Sequence, residues 1–337
     1  MFSRRLALAA LGAGALALAS AGTASAADKM TLTLNWLAQP FQSGFFLAKE
    51  KGYYDEVGID LTIIEGKGST STAQITAAGS TDVGFVSAAT AISLIGKGAP
   101  IKIIAETMHG NFQTVASMES SNIKEPKDLI GKSVAVCPGC AQLPMLKGML
   151  AKAGIKEGEV NIQNVDQSAH ISMLEEGKID AVAGDPNTIS IEVEERGGKV
   201  RNMYFKDWGI GQISYAVIAR NDKLEANPDL YKRFVAASLK GWRGIIDDPE
   251  AAITALQNQY KEIKLSRHIL LRQLKEGIIP FICVEDSPGI GKASDHLWDV
   301  TYEVMTNYMG LDANIDIDAA HTHEFLPADL PSCDLPS

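Results

Sequence analysis

The chain has 337 residues, 46% of them hydrophobic and 21% charged, an ordinary globular balance with enough length for two lobes that each bury a core. Its 31 basic and 41 acidic residues give a formal charge of −10, and no basic run appears, which argues against a nucleic-acid partner. Beyond the N-terminus no segment is apolar over the ~20 residues that a membrane span requires.

Residues 1–26 read as a targeting segment rather than structure. Arg4 and Arg5 make a basic start, Leu6–Ala19 an apolar run, and Ala24-Ser25-Ala26 a small-residue cleavage site. The apolar run is short for an anchor, so a cleaved leader and a periplasmic protein are expected. Ser3-Arg4-Arg5 fits the general secretory route and also the twin-arginine route. No Cys lies near the cleavage site to carry a lipid.

After the leader, strand and helix patterns alternate. Thr31–Trp36 alternates Leu with polar residues, as a half-buried strand does, and Pro40 with Gly44 marks the turn after it. Phe45–Lys49 continues as a helix to Gly52, and Asp60–Ile64 opens the next strand. This is one βαβ unit of roughly 30 residues. Strands at Asp82–Val86 and Ile101–Ala105 follow, with a helix over Ala88–Lys97 between them. An extended run at Phe112–Met118 precedes a second series of strands at Lys132–Cys137, Val160–Val165, Ile179–Ala183 and Val200–Phe205. Helices over Gln142–Ala153, Ser168–Glu176 and Thr188–Arg196 separate them. Past the extended run Ile213–Arg220 the chain turns helical, at Pro228–Asp247, Glu250–Tyr260, Ser266–Glu276 and Ala293–Met309. The organisation that follows is α/β, with two lobes joined by two crossover strands. Residues 27–111 and 221–310 form lobe 1, residues 112–220 lobe 2, and 311–337 a tail. Two crossings make a hinge, and a hinge makes a cleft that can close on a guest.

Ligands in open α/β sheets collect beyond the carboxyl ends of strands. That rule singles out Asn35, Trp36, Gln42 and Ser43 after the first strand. Trp36 would stack on a flat ring, and the polar three would orient it; core packing and turn capping are the competing readings. Gly68, Ser69 and Thr70 precede a helix whose first amides lack partners, and Ser87 stands at a second helix start. Gly139 and Cys140 offer a third start, from the opposite lobe. Asp185 and Asn187 end a strand facing the cleft, where a carboxylate accepts from ligand N–H groups and opposes an anion. His109 stands at the first crossing, and Phe112, Trp208 and Tyr215 read as core, with closure of one of them over the ligand as the competing reading. Cys137-Pro138-Gly139-Cys140 admits a redox pair, a metal site or a local disulfide or thiol pair stiffening the ligand loop; the last is expected.

Asn35-Trp36, Gly44-Phe45-Phe46-Leu47-Ala48, Lys51-Gly52-Tyr53-Tyr54 and Val57-Gly58-Ile59-Asp60 together resemble the periplasmic substrate-binding proteins of ATP-binding-cassette importers. The subgroup is the thiamine-pyrimidine-precursor and alkanesulfonate/nitrate/taurine binders. The resemblance continues through Asp82-Val83-Gly84-Phe85, Asp128–Lys132, Leu174–Ala181 and Phe325-Leu326-Pro327. It implies a type II periplasmic-binding-protein fold, a monomer that captures a small solute without a cofactor or metal, and an inner-membrane permease as partner. A pyrimidine-type thiamine precursor is the favoured guest, with a sulfonate, nitrate, taurine or aromatic carboxylate as alternatives. The eukaryotic pyrimidine synthases of the same superfamily are similar too, and their cysteine-rich motif falls near Cys137–Cys140. An enzyme is therefore the rival reading, either such a synthase or a thiol oxidoreductase.

Overall fold

The computed structural model describes residues 26–156 and 158–335, so the expected leader lies outside it apart from Ala26. Among the described residues ten strands form two five-stranded sheets. The first lobe holds β1 (Asp28–Thr33), β2 (Ile59–Ile64), β3 (Val83–Ser87), β4 (Ile101–Met108) and β10 (Tyr215–Arg220) in the order β2-β1-β3-β10-β4. The second holds β5 (Thr114–Met118), β6 (Ser133–Val136), β7 (Asn161–Asn164), β8 (Ala181–Gly184) and β9 (Val200–Tyr204) in the order β7-β6-β8-β5-β9.

The two sheets share one plan. In each, four strands point the same way, and the strand that enters from the other lobe inserts antiparallel to both its neighbours. Thus β10 sits between β3 and β4, and β5 sits between β8 and β9. The crossing strands are internal, hydrogen-bonded on both edges, so the hinge is anchored in each core, and the segments 109–113 and 205–214 pass between lobes. These are two α/β lobes of the type II periplasmic-binding-protein kind.

Central strands read as apolar runs because helices cover both faces. β3 (Val-Gly-Phe-Val-Ser) and β8 (Ala-Val-Ala-Gly) are buried throughout. In lobe 1 the ring of Phe45 meets those of Phe85 and Trp242 edge-on, at 5.2 and 5.6 Å between centroids. The helix Ser43–Glu50 lies close against Pro228–Asp247 because Gly44 and Gly241 face each other. A Cβ at Gly44 would fall 2.8 Å from the Trp242 indole, and one at Gly241 would fall 2.1 Å from the Gly44 carbonyl oxygen. The C-terminal helices are capped by side chains: Asn227, Asp248, Ser266 and Ser294 each accept from a backbone N–H one turn on.

The helix Asp295–Tyr308 serves both lobes, sending Trp298 and Met305 into the first core and Val304 into the second. The tail docks on lobe 1. Phe325 packs on Tyr231, Arg243 donates to the Ser332 and Asp334 carbonyls, and a Cys283–Cys333 disulfide ties the end down. Three short helices escaped the sequence pattern, at Tyr53–Glu56, Asn221–Ala226 and Ile279–Ile282. None is long enough to show a periodic face.

Candidate functional site

A narrow cavity of about 20 Å³ lies between the lobes, at the carboxyl ends of β1, β6 and β8. Lobe 1 supplies Asn35, Trp36, Gln39, Phe41, Gly68 and Ser69; lobe 2 supplies Cys140, Ala141, Gln142, Gln167 and Asp185; Tyr215 closes the base at the return crossing.

The lobe 1 wall is built from the backbone outward. Beyond β1 the chain is held by Gly68 N–H donating to Asn35 O at 2.7 Å and Gly66 N–H to Trp36 O at 3.2 Å. Gly66 cannot be larger, since its Cβ would fall 1.9 Å from Leu34 O. Gln42 Nε2 donates to Asn35 Oδ1 at 3.0 Å, while Gln42 Oε1 accepts from Gln39 N–H, so the Asn35 amide is oriented from behind. Ser69 opens the nine-residue helix Ser69–Ala77, whose first amides have no partners within the helix. Its Oγ accepts from Ser87 N–H at 3.0 Å.

The lobe 2 wall centres on Asp185, which precedes the helix Pro186–Glu195. Gln142 Nε2 donates to Asp185 Oδ1 at 2.7 Å, and the Gln113 amide on the first crossing lies near the carboxylate and favours its charged form. Gln113 Nε2 reaches the Tyr215 hydroxyl at 3.3 Å. Burial raises the Asp185 carboxyl to about 6, and the Gln142 bond and the nearby Gln113 amide hold it from rising further. Burial, with the Asp185 charge behind it, pushes the Tyr215 phenol well up, so it stays neutral. Two buried oxygens beside this network, Gln113 Oε1 and Ser87 Oγ, have no hydrogen-bond partner.

The lobes touch at the cavity rim, where Thr70 Oγ1 donates to Gly139 O at 3.3 Å. Cys137 and Cys140 are joined by a disulfide, one of the alternatives weighed for this pair. Outside the rim the cleft widens into a mouth of about 570 Å³ between Trp36, Leu37 and Lys67 on one side and Gln167, Ile171 and Arg196 on the other. Among the described residues no group of three or more His, Cys, Asp or Glu is placed to hold a metal.

Of the residues singled out in the sequence, Asn35, Trp36, Gly68, Ser69, Cys140 and Asp185 come together around the cavity. Thr70 and Gly139 make the rim contact, and Gln42 and Ser87 stand one layer behind. Ser43 is wholly buried at the start of its helix. His109 and Asn187 lie elsewhere. Both His109 ring nitrogens are engaged, Nδ1 with Ser287 Oγ at 2.6 Å and Nε2 with Glu106 O at 2.9 Å, and burial lowers its pKa. Asn187 packs on Gly277, where an added Cβ would fall 2.3 Å from its own. Gln39, Gln142 and Gln167 were missed. Tyr215, read as core with closure over the ligand as the competing reading, lines the cavity, and the glutamines carry no local signal beyond following a strand's end.

Comparison with known proteins adds three findings. A family described as NMT1/THI5 like matches residues 39–252. Among curated relatives, a formylaminopyrimidine-binding protein of Halalkalibacterium halodurans is 25% identical over 253 residues, covering 73% of this chain and 76% of its own. The riboflavin-binding protein RibY of Chloroflexus aurantiacus is 26% identical over 310 residues, with 89% and 86% covered. A 4-amino-5-hydroxymethyl-2-methylpyrimidine phosphate synthase of Legionella pneumophila is 24% identical over 314 residues, with 91% and 95% covered. Among solved structures, the alkanesulfonate-binding protein SsuA from Xanthomonas axonopodis pv. citri, bound to MOPS, superposes with a TM-score of 0.68 at 16% identity, covering 89% of this chain and 99% of its own. That likeness concerns the fold.

Proposed function

The chain belongs to the NMT1/THI5-like family, and on that premise we propose that it is a periplasmic solute-binding protein that captures a small aminopyrimidine-type heterocycle between its lobes. The leader at residues 1–26 would direct it across the inner membrane, and it would hand its guest to a membrane permease as a monomer. The observation that carries the choice of guest is Asp185. A carboxylate with a partner on one oxygen and a cavity beside it calls for a donor, such as an exocyclic amine. An anionic guest would meet that charge. Trp36 and Phe41 offer apolar faces to a ring, and the Asn35 amide and the amides opening the helix Ser69–Ala77 meet its acceptors. The name of the H. halodurans relative agrees with this reading.

In this mechanism the guest enters the open cleft, docks on one lobe and is enclosed when the crossings flex. Closure removes water and brings the Asp185 side to the Trp36 side, so affinity includes the free energy of closing. The guest leaves unchanged. The enzyme reading draws on the Legionella relative, whose name is that of a synthase. A calorimetric titration with aminopyrimidines, riboflavin, alkanesulfonates and nitrate, run beside a turnover assay, separates these. Binding of an aminopyrimidine at one site per chain without product formation supports the proposal. Binding of sulfonates alone, or steady product formation, contradicts it.

A further inference from the structure

β6 ends at Val136, and the chain turns from Cys137 through Pro138 and Gly139 to Cys140 before the helix Gln142–Lys152 begins. Cys140 N–H donates to Cys137 O at 3.3 Å, and Gly139 has φ +73°. Proline second and a left-handed glycine third is the signature of a type II turn. The disulfide spans the same four residues, with Cα atoms 5.5 Å apart. The turn is therefore clamped at its base by both a hydrogen bond and a covalent bond.

Three things meet on this clamped turn. Its apex makes the interlobe contact, since Gly139 O accepts from Thr70 Oγ1 and would lie 3.2 Å from a Cβ added at Gly68. Cys140 itself lines the cavity. Gln142, two residues on, holds Asp185. Displacing the turn disturbs closure, the cavity wall and the carboxylate's support together. Cys137 is 4% exposed whereas Cys140 is partly accessible, so an incoming thiol meets Cys140 Sγ from the cleft side. The other disulfide, Cys283–Cys333, fastens the tail to lobe 1 and contributes nothing to the cavity lining.

We propose that the Cys137–Cys140 disulfide is a redox-modification site that gates closure on the guest, its reductant a dithiol of the thiol–disulfide oxidoreductase class. A thiolate of the dithiol attacks Cys140 Sγ, the Cys137–Cys140 bond breaks, and Cys137 leaves and takes a proton. The second thiol of the reductant then attacks the mixed disulfide and releases the Cys140 thiol. Two electrons and two protons pass to the protein, and the dithiol becomes a disulfide. The freed turn no longer fixes Gly139 against Thr70, and the closed form loses population. Linkage makes the effect reciprocal: a guest that favours closure protects the disulfide from reduction by the factor that reduction weakens its binding. The inference rests on the proposed reading of the cleft as a solute site.

The test uses the full mature chain with the Cys283→Ser/Cys333→Ser pair, so that a single disulfide can be reduced. Without any guest, small-angle scattering before and after dithiothreitol should show a larger radius of gyration in the reduced form. With 4-amino-5-hydroxymethyl-2-methylpyrimidine as probe, reduction should weaken binding about fivefold or more. Cys137→Ser/Cys140→Ser should reproduce the reduced protein in both measurements. If the tail variant does not fold, the unmodified chain suffices: thiol alkylation mapped by mass spectrometry along a dithiothreitol titration should show the probe protecting Cys137 and Cys140 but not Cys283 and Cys333. Identical scattering in the two redox states overturns the gate, as do equal affinities or equal protection of both pairs. If the probe fails to bind the oxidised protein, the choice of guest is wrong, while the guest-free scattering still decides the gate.

Discussion

Gln142 Nε2 donates to Asp185 Oδ1 at 2.7 Å, tying the start of one lobe 2 helix to the residue before another. The bond holds the one strongly perturbed carboxylate of the cavity lining, raised by burial to about 6, where a guest would meet it. Protein amides occupy part of the carboxylate and leave part to be satisfied by a ligand.

The pH dependence of binding follows from that value. Below about pH 6 Asp185 gains a proton and loses its capacity as a pure acceptor. For a guest of constant charge that donates N–H groups, affinity should fall as pH drops through 6; for an anion it should rise. Asp185→Asn should abolish the dependence and weaken an aminopyrimidine by about 1.5–3 kcal/mol, roughly 10- to 150-fold. The sign reverses for stability. An ionised carboxylate with a raised pKa costs folding free energy above that pKa, so Asp185→Asn should raise the Tm of the free protein at pH 7. Calorimetry at pH 5 and pH 7.5, with melting curves for both proteins, measures both effects.

Gly68 should be intolerant of a side chain for two reasons. Its φ is +116°, outside the range that other residues adopt readily, and a Cβ would crowd Gly139 O across the cleft at 3.2 Å. Gly68→Ala should cost about 1–3 kcal/mol of stability and shift the guest-saturated protein toward the open form. A scattering profile of the saturated variant identical to that of the parent would remove the interlobe role.

Gly44 tests the lobe 1 core separately from the site. Its Cβ would enter the Trp242 ring at 2.8 Å, so Gly44→Ala should destabilise by about 1–3 kcal/mol. Denaturant unfolding should show the loss, while the folded variant keeps its affinity because no cavity residue has moved.

His109 separates structural from binding residues. Its ring bridges Ser287 and the Glu106 carbonyl in a buried position, and burial depresses its pKa below 6.5. The unfolded chain therefore binds a proton near pH 6.5 that the folded chain refuses, and His109 makes stability decline as pH falls below that value. His109→Ala should lower the Tm and flatten this slope without changing affinity. A loss of affinity in a fully folded variant would return His109 to the site.

Much of the architecture could be read from the sequence because the local signals agree. The strand after the leader, the helix that runs to Gly52 and the helix over Pro228–Asp247 are all matched within a few residues. The cavity was only partly legible. Asn35, Gly68 and Asp185 stand directly at element ends, where chain position alone predicts exposure to a cleft. Gln113 and Gln142 matter because folding brings them to Asp185 from 72 and 43 residues away, and no pattern in the chain records that meeting. His109 stood at a crossing, but its partner Ser287 comes from a loop 178 residues on. The tail's docking likewise depends on a disulfide across 50 residues.

The most direct test is a crystal structure of the chain grown with 4-amino-5-hydroxymethyl-2-methylpyrimidine. The account predicts the ring between Trp36 and the lobe 2 wall, with its amine donating to Asp185 and the Thr70–Gly139 contact intact. A ring bound outside the cleft, or an anion coordinated at the helix starts with Asp185 turned away, would contradict it.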